Sequence, residues 1–475
     1  MRNPISIATF LLSVTLSSFL LAQEYPRPSN VGSAEQVGFG VQRTMTLLAS
    51  STPERSHTVR ILLYGQSITA GKWGGQLQEH LRKTYPHANL IYEQRPLSGF
   101  ATERLVKTSE ADLYPSYADL VIFHDYGNNE DYERMIRKLR DETTSEILIQ
   151  ADHIRRSEKV IDESSPEKIE ERRLRWAAER NTQFLPMIAK KYGCGFDGRR
   201  ELWKAYLQEH SIPPGDLVKD DVHPNEQGTY LMTELVKAYL VPRADISMDP
   251  MNCGYVETFS ASDFGDVSND ELTFAFEGNR IDVIFHDDAT KNCDVLIDGK
   301  KPLDDPTMLY HGRNRVRWRN TPIPPGPWPA VLKMSHERPL VQENWTLSAT
   351  QDPKQLEHYT FDIVGSVTGP DGSGRTDERF VSQSKRVVIE PGDWDVPFSI
   401  VALRRLKELP ANFEIDWTVK SQASNSIVPP DAKPGIEKSV TVAQRIEEGK
   451  HVVKFTGAVQ GIKSLRVYAP AKFPR

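Results

Sequence analysis

The stretch Val59-Arg60-Ile61-Leu62-Leu63-Tyr64-Gly65-Gln66-Ser67-Ile68-Thr69-Ala70-Gly71 governs how the rest of the chain is read. Its first six residues form a short apolar run with β-branched members, the pattern of a strand buried on both faces of a parallel sheet. Gly65 ends the run, and helical spacing begins near Trp73. A Gly-flanked serine at the carboxyl end of such a strand stands where open α/β sheets bind ligands. Gly65 gives the backbone the freedom to aim Ser67 outward. The competing reading is an ordinary strand-to-helix turn in which Ser67 or Thr69 caps the next helix.

Outward from this stretch, apolar strands alternate with amphipathic helices from Thr58 to about Val241. Ala88 to Tyr92, Ala118 to His124, Glu146 to Gln150 and Cys194 to Phe196 read as strands. Trp73 to Tyr85, Thr102 to Tyr114, Glu130 to Glu142, Arg200 to Glu209 and Asn225 to Tyr239 carry apolar residues at helical spacing. Pro166 to Lys191 has the same spacing, with a kink expected at Pro186. This alternation predicts an α/β domain over 58–243 with a parallel sheet covered on both faces. Residues 23–57 read as a linker and a packing segment around Val41, Met45 and Leu48.

Helical periodicity fades near Pro242 to Pro250, and short alternating runs replace it. Two β-sandwich modules are expected there, over 250–345 and 346–475. The first contains Leu272 to Phe276, Arg280 to Phe285 and Asp294 to Asp298, then an Asp298-Gly299 turn and a proline-rich loop at Pro322 to Pro327. Asp371 to Asp377 superficially resembles a calcium loop. It lacks the terminal bidentate glutamate and reads as a surface hairpin.

At 475 residues the chain exceeds what one compact core organises. Its net charge of -6 and the lack of any long basic block argue against a nucleic-acid partner. Arg2 followed by the apolar stretch Ile5 to Leu21 and Ala22 reads as a secretory signal peptide over 1–22. It predicts an exported protein, periplasmic or extracellular. An uncleaved anchor is the alternative, and no later run is long and apolar enough to span a bilayer. Of the three cysteines, Cys253 and Cys293 are candidates for a disulfide and Cys194 for a buried strand thiol. Their spacing fits no zinc motif, so neither a metal nor a cofactor is expected.

Four short stretches carry polar residues where acyl transfer needs them: Ser67, the turn Leu97-Ser98-Gly99-Phe100, Tyr126-Gly127-Asn128-Asn129-Glu130, and Asp220-Asp221-Val222-His223. A serine hydroxyl needs a base to take its proton, and His223 is the natural one. Asp220, or its rival Asp221, would fix the imidazole tautomer. His124, His153 and His210 compete with His223 but lack the Asp-x-x-His context. Oxyanion donors would be the amides of Ser67 and Gly99 and the side chain of Asn129, with Asn129 as a helix cap in the competing reading. Gln66, Trp73 and Tyr126 sit beside these motifs as candidate substrate contacts.

Together the four stretches, covering about 58–242, resemble the SGNH (GDSL-type) hydrolase family. Gly65-Gln66-Ser67-Ile68-Thr69 is similar to its first block, Gly99 to its second, Gly127-Asn128-Asn129-Glu130 to its third, and Asp220 to His223 to its fourth. Gln66 and Glu130 depart from the aspartates usual in that family. The resemblance implies a flavodoxin-like three-layer α/β/α sandwich and metal-independent ester hydrolysis by Ser67, His223 and Asp220. Residues 272–301 resemble, less specifically, the jelly-roll domains found beside some carbohydrate esterases. The expected substrate is an acylated carbohydrate, most simply an O-acetyl ester. The rival readings are a non-catalytic carbohydrate-binding or cell-surface protein on a hydrolase scaffold, and a lipase or thioesterase of the same family.

Overall fold

The computed structural model describes residues 25–264, 270–317 and 326–472. The first unit is a five-stranded parallel sheet with strand order β2-β1-β3-β4-β5. Its strands are β1 (Thr58–Gly65), β2 (Asn89–Pro96), β3 (Leu120–His124), β4 (Glu146–Gln150) and β5 (Gly195–Asp197). This is the doubly wound order in which the chain reverses direction beside β1.

Period-two alternation sends successive side chains to opposite faces. Ile61, Leu63, Leu120, Ile122 and Leu148 pack on one face with α1 (Gln42–Ala49), α2 (Lys72–Thr84) and residues 199–240. Leu62, Tyr64, Val121, Phe123, Ile147 and Ile149 pack on the other with α3 (Thr102–Asp112) and α4 (Asn129–Glu142). Each such aliphatic side chain contributes about 1.5–3 kcal/mol on burial, so a one-residue slip of any central strand would be strongly disfavoured. Met45 and Leu48 of α1 are buried in the first of these cores.

The helical stretch after β4 breaks up as Pro186 requires. It comprises α5 (Arg172–Glu179), a π-helical turn Arg180–Phe184 and α6 (Leu185–Lys191). The Leu185 amide donates to Arg180 O, the i→i+5 bond that defines the turn. Two further helices, α7 (Arg199–Glu209) and α8 (Glu226–Tyr239), complete the unit.

Beyond residue 250 the described strands form two six-stranded antiparallel sheets and a two-stranded ribbon. Sheet membership does not divide at residue 346. Glu271–Phe285 pairs with Ser439–Gly457 and Ile462–Tyr468, so the ends of the region close on each other. The second sheet, built from segments between 309 and 421, is inserted between them. Local alternation predicts strands well but carries no information about partners 150 residues away.

Asp371 to Arg375 lies on a strand, and the Asp371 carboxylate accepts from the Ser384 amide and hydroxyl rather than facing a loop interior. All three cysteines are free: Cys293 sits in the core of the closing sheet, Cys253 beside Tyr117, Val256 and Tyr468. The expected disulfide is therefore not formed, because the two thiols belong to different clusters. Residues 1–22 and most of the proline loop lie outside the described residues. No helix among the described residues is long and apolar enough to cross a membrane.

Candidate active site

Gly65 brings the serine into place. Its φ is +150°, and a Cβ there would lie 1.9 Å from His124 O of the neighbouring strand. Only glycine allows β1 and β3 to approach this closely at their carboxyl ends. The next residues form a tight turn, with Thr69 N bonded to Gln66 O and Ala70 N to Ser67 O. The turn is tied down by Trp73, whose buried indole Nε1 donates to Ile68 O at 2.7 Å.

The histidine arrives on the loop before α8. That loop is pinched at its base, where Lys219 N donates to His223 O and Asn225 N to Leu217 O. The Asn225 side chain caps α8 by accepting from Gly228 N. Within the loop, Asp220 Oδ1 accepts from the amides of Val222 (2.8 Å) and His223 (2.7 Å). Its other oxygen lies 2.9 Å from His223 Nδ1. Desolvation pushes the Asp220 carboxyl up, but these amides and the His223 ring outweigh it and hold it well below the usual carboxylate range. An ionised carboxylate only accepts, so Nδ1 carries the proton and Nε2 its lone pair in the neutral ring. His223 Nε2 lies 2.8 Å from Ser67 Oγ, across 156 residues of chain. Asp221 turns the other way, accepting from Ser157 N and from Arg173.

Ser67, Asp220 and His223 line a cleft of about 870 Å³ outside the sheet's carboxyl ends, together with Ser98, Trp73 and Tyr230. Neither the Ser67 nor the Gly99 amide has an acceptor among the described residues. Asn128, not Asn129, caps α4, accepting from Glu130 N and Asp131 N. Asn129 is the first residue of the helix, and its Oδ1 accepts from Arg180 Nη1, which leaves its Nδ2 as the free donor end. Gly99, Asn129 and Tyr126 do not line the cleft, although Ser98 does. Tyr126 O accepts from the Thr102 amide and hydroxyl, joining the Gly99 and Gly127 turns. Gln66 is buried, with its side chain turned inward to His124.

Sequence reasoning passed over three supports. His153, fully buried, donates from Nε2 to Val222 O and so holds the histidine loop against β4. Arg180, delivered by the π-helical turn, fixes Asn129 and also bonds Asp125 O. The third comes from the C-terminal region: Trp328 Nε1 donates to Ser98 O at 2.7 Å, and a Cβ on Gly99 would meet Leu403 at 2.6 Å. Proline at 186 was a usable signal for the π-helical turn. Nothing in the local sequence around 328 or 403 signals a contact with residue 98 or 99.

A hydroxyl, a base oriented by a carboxylate, and free amides at the end of a parallel sheet can together carry out nucleophilic acyl transfer. Among the described residues no cluster of histidine, cysteine, aspartate or glutamate has the arrangement of a metal site. No protein-family model matches the chain, and no curated protein matches it. Among solved structures, the chain is similar to a two-domain esterase active on acetylated mannans. Identity is 13% and the TM-score 0.35, over 91% of this chain and 98% of that one. It is also similar to a catalytic mutant of an acetylxylan esterase from Geobacillus stearothermophilus, at 16% identity and TM-score 0.33 over 40% of this chain and 97% of that one. A third is an α/β hydrolase from the metagenome of Lake Arreo, Spain, at 17% identity and TM-score 0.33 over 40% and 98%. Likeness at this level carries nothing about chemistry.

Proposed function

We propose that the chain is a serine ester hydrolase of the SGNH type that removes an acyl group, most simply O-acetyl, from a carbohydrate. One observation carries the reading: Ser67 Oγ stands 2.8 Å from His223 Nε2 while Nδ1 of the same ring faces Asp220 at 2.9 Å, at the wall of a cleft. Ser67 attacks the acyl carbonyl as His223 Nε2 takes its proton, and Asp220 steadies the imidazolium. The unpaired Ser67 amide, at the cleft wall, receives the developing oxyanion. Gly99 N, next to the cleft-lining Ser98, and Asn129 Nδ2 are the further donors that substrate binding would have to bring to it. His223 then gives its proton to the departing sugar oxygen, leaving the acyl group on Ser67 Oγ. Water attacks that acyl carbonyl as His223 takes its proton, and the Oγ–acyl bond breaks with the proton returned to Ser67 Oγ and the carboxylic acid released. The carbohydrate half of the reading is supported by the room in the cleft, about 870 Å³, and by the polar side chains Lys72, Gln76, Ser98 and Asn225 among its lining, which can hydrogen-bond sugar hydroxyls. Export is part of it, resting on Arg2 and the apolar run Ile5 to Leu21.

The test is turnover of 4-nitrophenyl acetate and release of acetate from acetylated xylan and mannan, each in the presence of chelator. Turnover should survive chelator and fall at least about 10³-fold in Ser67→Ala. Retained turnover in that variant would refute the serine mechanism. Glycan retention by a folded protein that turns over none of these esters would favour a binding role.

A further inference from the structure

Gln66 stands where the resembling family has an acid, and its surroundings specify an amide. Its Oε1 accepts from the Ile68 amide at 3.0 Å and faces Ser67 Oγ at 2.9 Å. The Ile68 N–H can only donate, so it fixes which end of the amide is oxygen. Gln66 Nε2 is then the atom 2.8 Å from His124 Nδ1. It too can only donate, so Nδ1 bears a lone pair and the proton of the neutral His124 ring sits on Nε2. That proton points at Asp152 Oδ1, 3.0 Å away. Asp152 is itself held through its amide, which donates to Asn181 Oδ1 at 2.7 Å. A single backbone N–H thus sets the orientation of a buried chain from Ser67 to Asp152. Burial keeps His124 from charging, against the pull of Asp152 and with Arg199 and Arg180 facing it.

The Ser67 hydroxyl consequently has two acceptors for one proton, His223 Nε2 at 2.8 Å and Gln66 Oε1 at 2.9 Å. When His223 is neutral, the hydroxyl donates to Nε2 and is ready to attack. When His223 is protonated, Nε2 becomes a donor to Oγ, and only Gln66 can accept the hydroxyl proton. We propose that Gln66, locked by the buried His124–Asp152 pair, is a positioning residue that keeps Ser67 Oγ aligned with His223 in both protonation states. It rests on the serine-nucleophile reading above. A neutral amide suits this role because it accepts the hydroxyl without competing strongly for its proton. A carboxylate there would form the stronger, charge-assisted bond, would place His124 between two acids, and would favour protonated His223. The charged groups that share the cleft with His223 are Asp220, Lys219 and Glu226 from its own loop and α8, Lys72 from α2, and Arg405 from the C-terminal region. The same loop also carries Asp221, paired with Arg173, and accepts at Asp220 O and Val218 O from Arg156.

The experiment measures the rate at which a fluorophosphonate labels Ser67 from pH 5 to 9 in the full chain, beside kcat and KM for 4-nitrophenyl acetate. Gln66→Glu, nearly isosteric, should move the acid limb of the labelling rate upward by at least about half a pH unit. Gln66→Leu should slow labelling and kcat about tenfold with KM changed less than about threefold. Melting curves report whether each variant folds, and if Gln66→Leu does not, the Gln66→Glu profile decides alone. A Gln66→Glu profile superimposable on the parent would overturn the proposal, as would a Gln66→Leu loss confined to KM. A parent protein whose Ser67 takes no label would overturn the serine-nucleophile reading and this one with it. Labelling with an unmoved profile would overturn this one alone.

Discussion

His153 shows how one side chain couples the site to stability. Burial pushes its imidazole from the ordinary 6.5 down to about 3, so the folded protein holds it neutral and donating to Val222 O. The unfolded chain binds a proton there from about pH 6.5 downward, whereas the folded one waits until about pH 3. The unfolded state therefore binds more protons across that window, and stability falls as pH drops through it, by at most about 1.4 kcal/mol per pH unit from this group. Replacing His153 with Gln, which can keep a donor, should flatten the dependence of urea unfolding free energy on pH between 6 and 4. An unchanged slope would mean the ring is already charged in the folded state. Asp220 behaves oppositely in placement, being half exposed at its loop. Its depressed carboxyl, held by the Val222 and His223 amides and the His223 ring, stays ionised to orient His223.

Among the elements, the junction of β1 with β3 is the least tolerant. Gly65 is opposite His124 in the register, and a methyl group there would collide with that residue's carbonyl. Gly65→Ala combines a left-handed-side φ with a backbone collision, so a loss of at least about 2 kcal/mol is expected in urea unfolding. Ser67 would shift with it, and turnover should fall even in the folded fraction. The π-helical turn is a second such element. Pro186 cannot donate its backbone amide, the chain widens by one residue, and Arg180 swings toward Asn129 and Asp125 O.

At the scale of the whole molecule, the α/β unit does not finish its own core. Leu332 belongs to the same buried cluster as Leu97, Phe100 and Tyr132, and Trp328, Phe398 and Leu403 pack against it. Polar contacts fasten the same face: Arg104 to Asp395, Lys107 to Asp393, and Arg313 to Asp112. The Gly99 turn, carrying one proposed oxyanion donor, is therefore roofed by the C-terminal region. Truncation after residue 243 should expose this apolar face, giving aggregation in size-exclusion chromatography and loss of most turnover. A monomeric, fully active fragment would show that the roof is dispensable.

Much of this was legible in the sequence because it is local. Strand and helix periodicity needs only ten-residue windows, so all five parallel strands and the helices between them could be read, whereas the strand order was expected only from the family resemblance, not from the residues themselves. Asp220 and His223 are three residues apart, and a loop closes that distance without help. Which asparagine caps α4 was decided by one residue of helix phase, Asn128 taking the cap and leaving Asn129 to Arg180. Tertiary structure alone decided the contacts between distant segments: Gln66 with His124 across 58 residues, Glu271–Phe285 with Ser439–Gly457, and the roof over Gly99. Those pairings depend on which surfaces remain uncovered after the local elements form, and a short window of sequence does not contain that information.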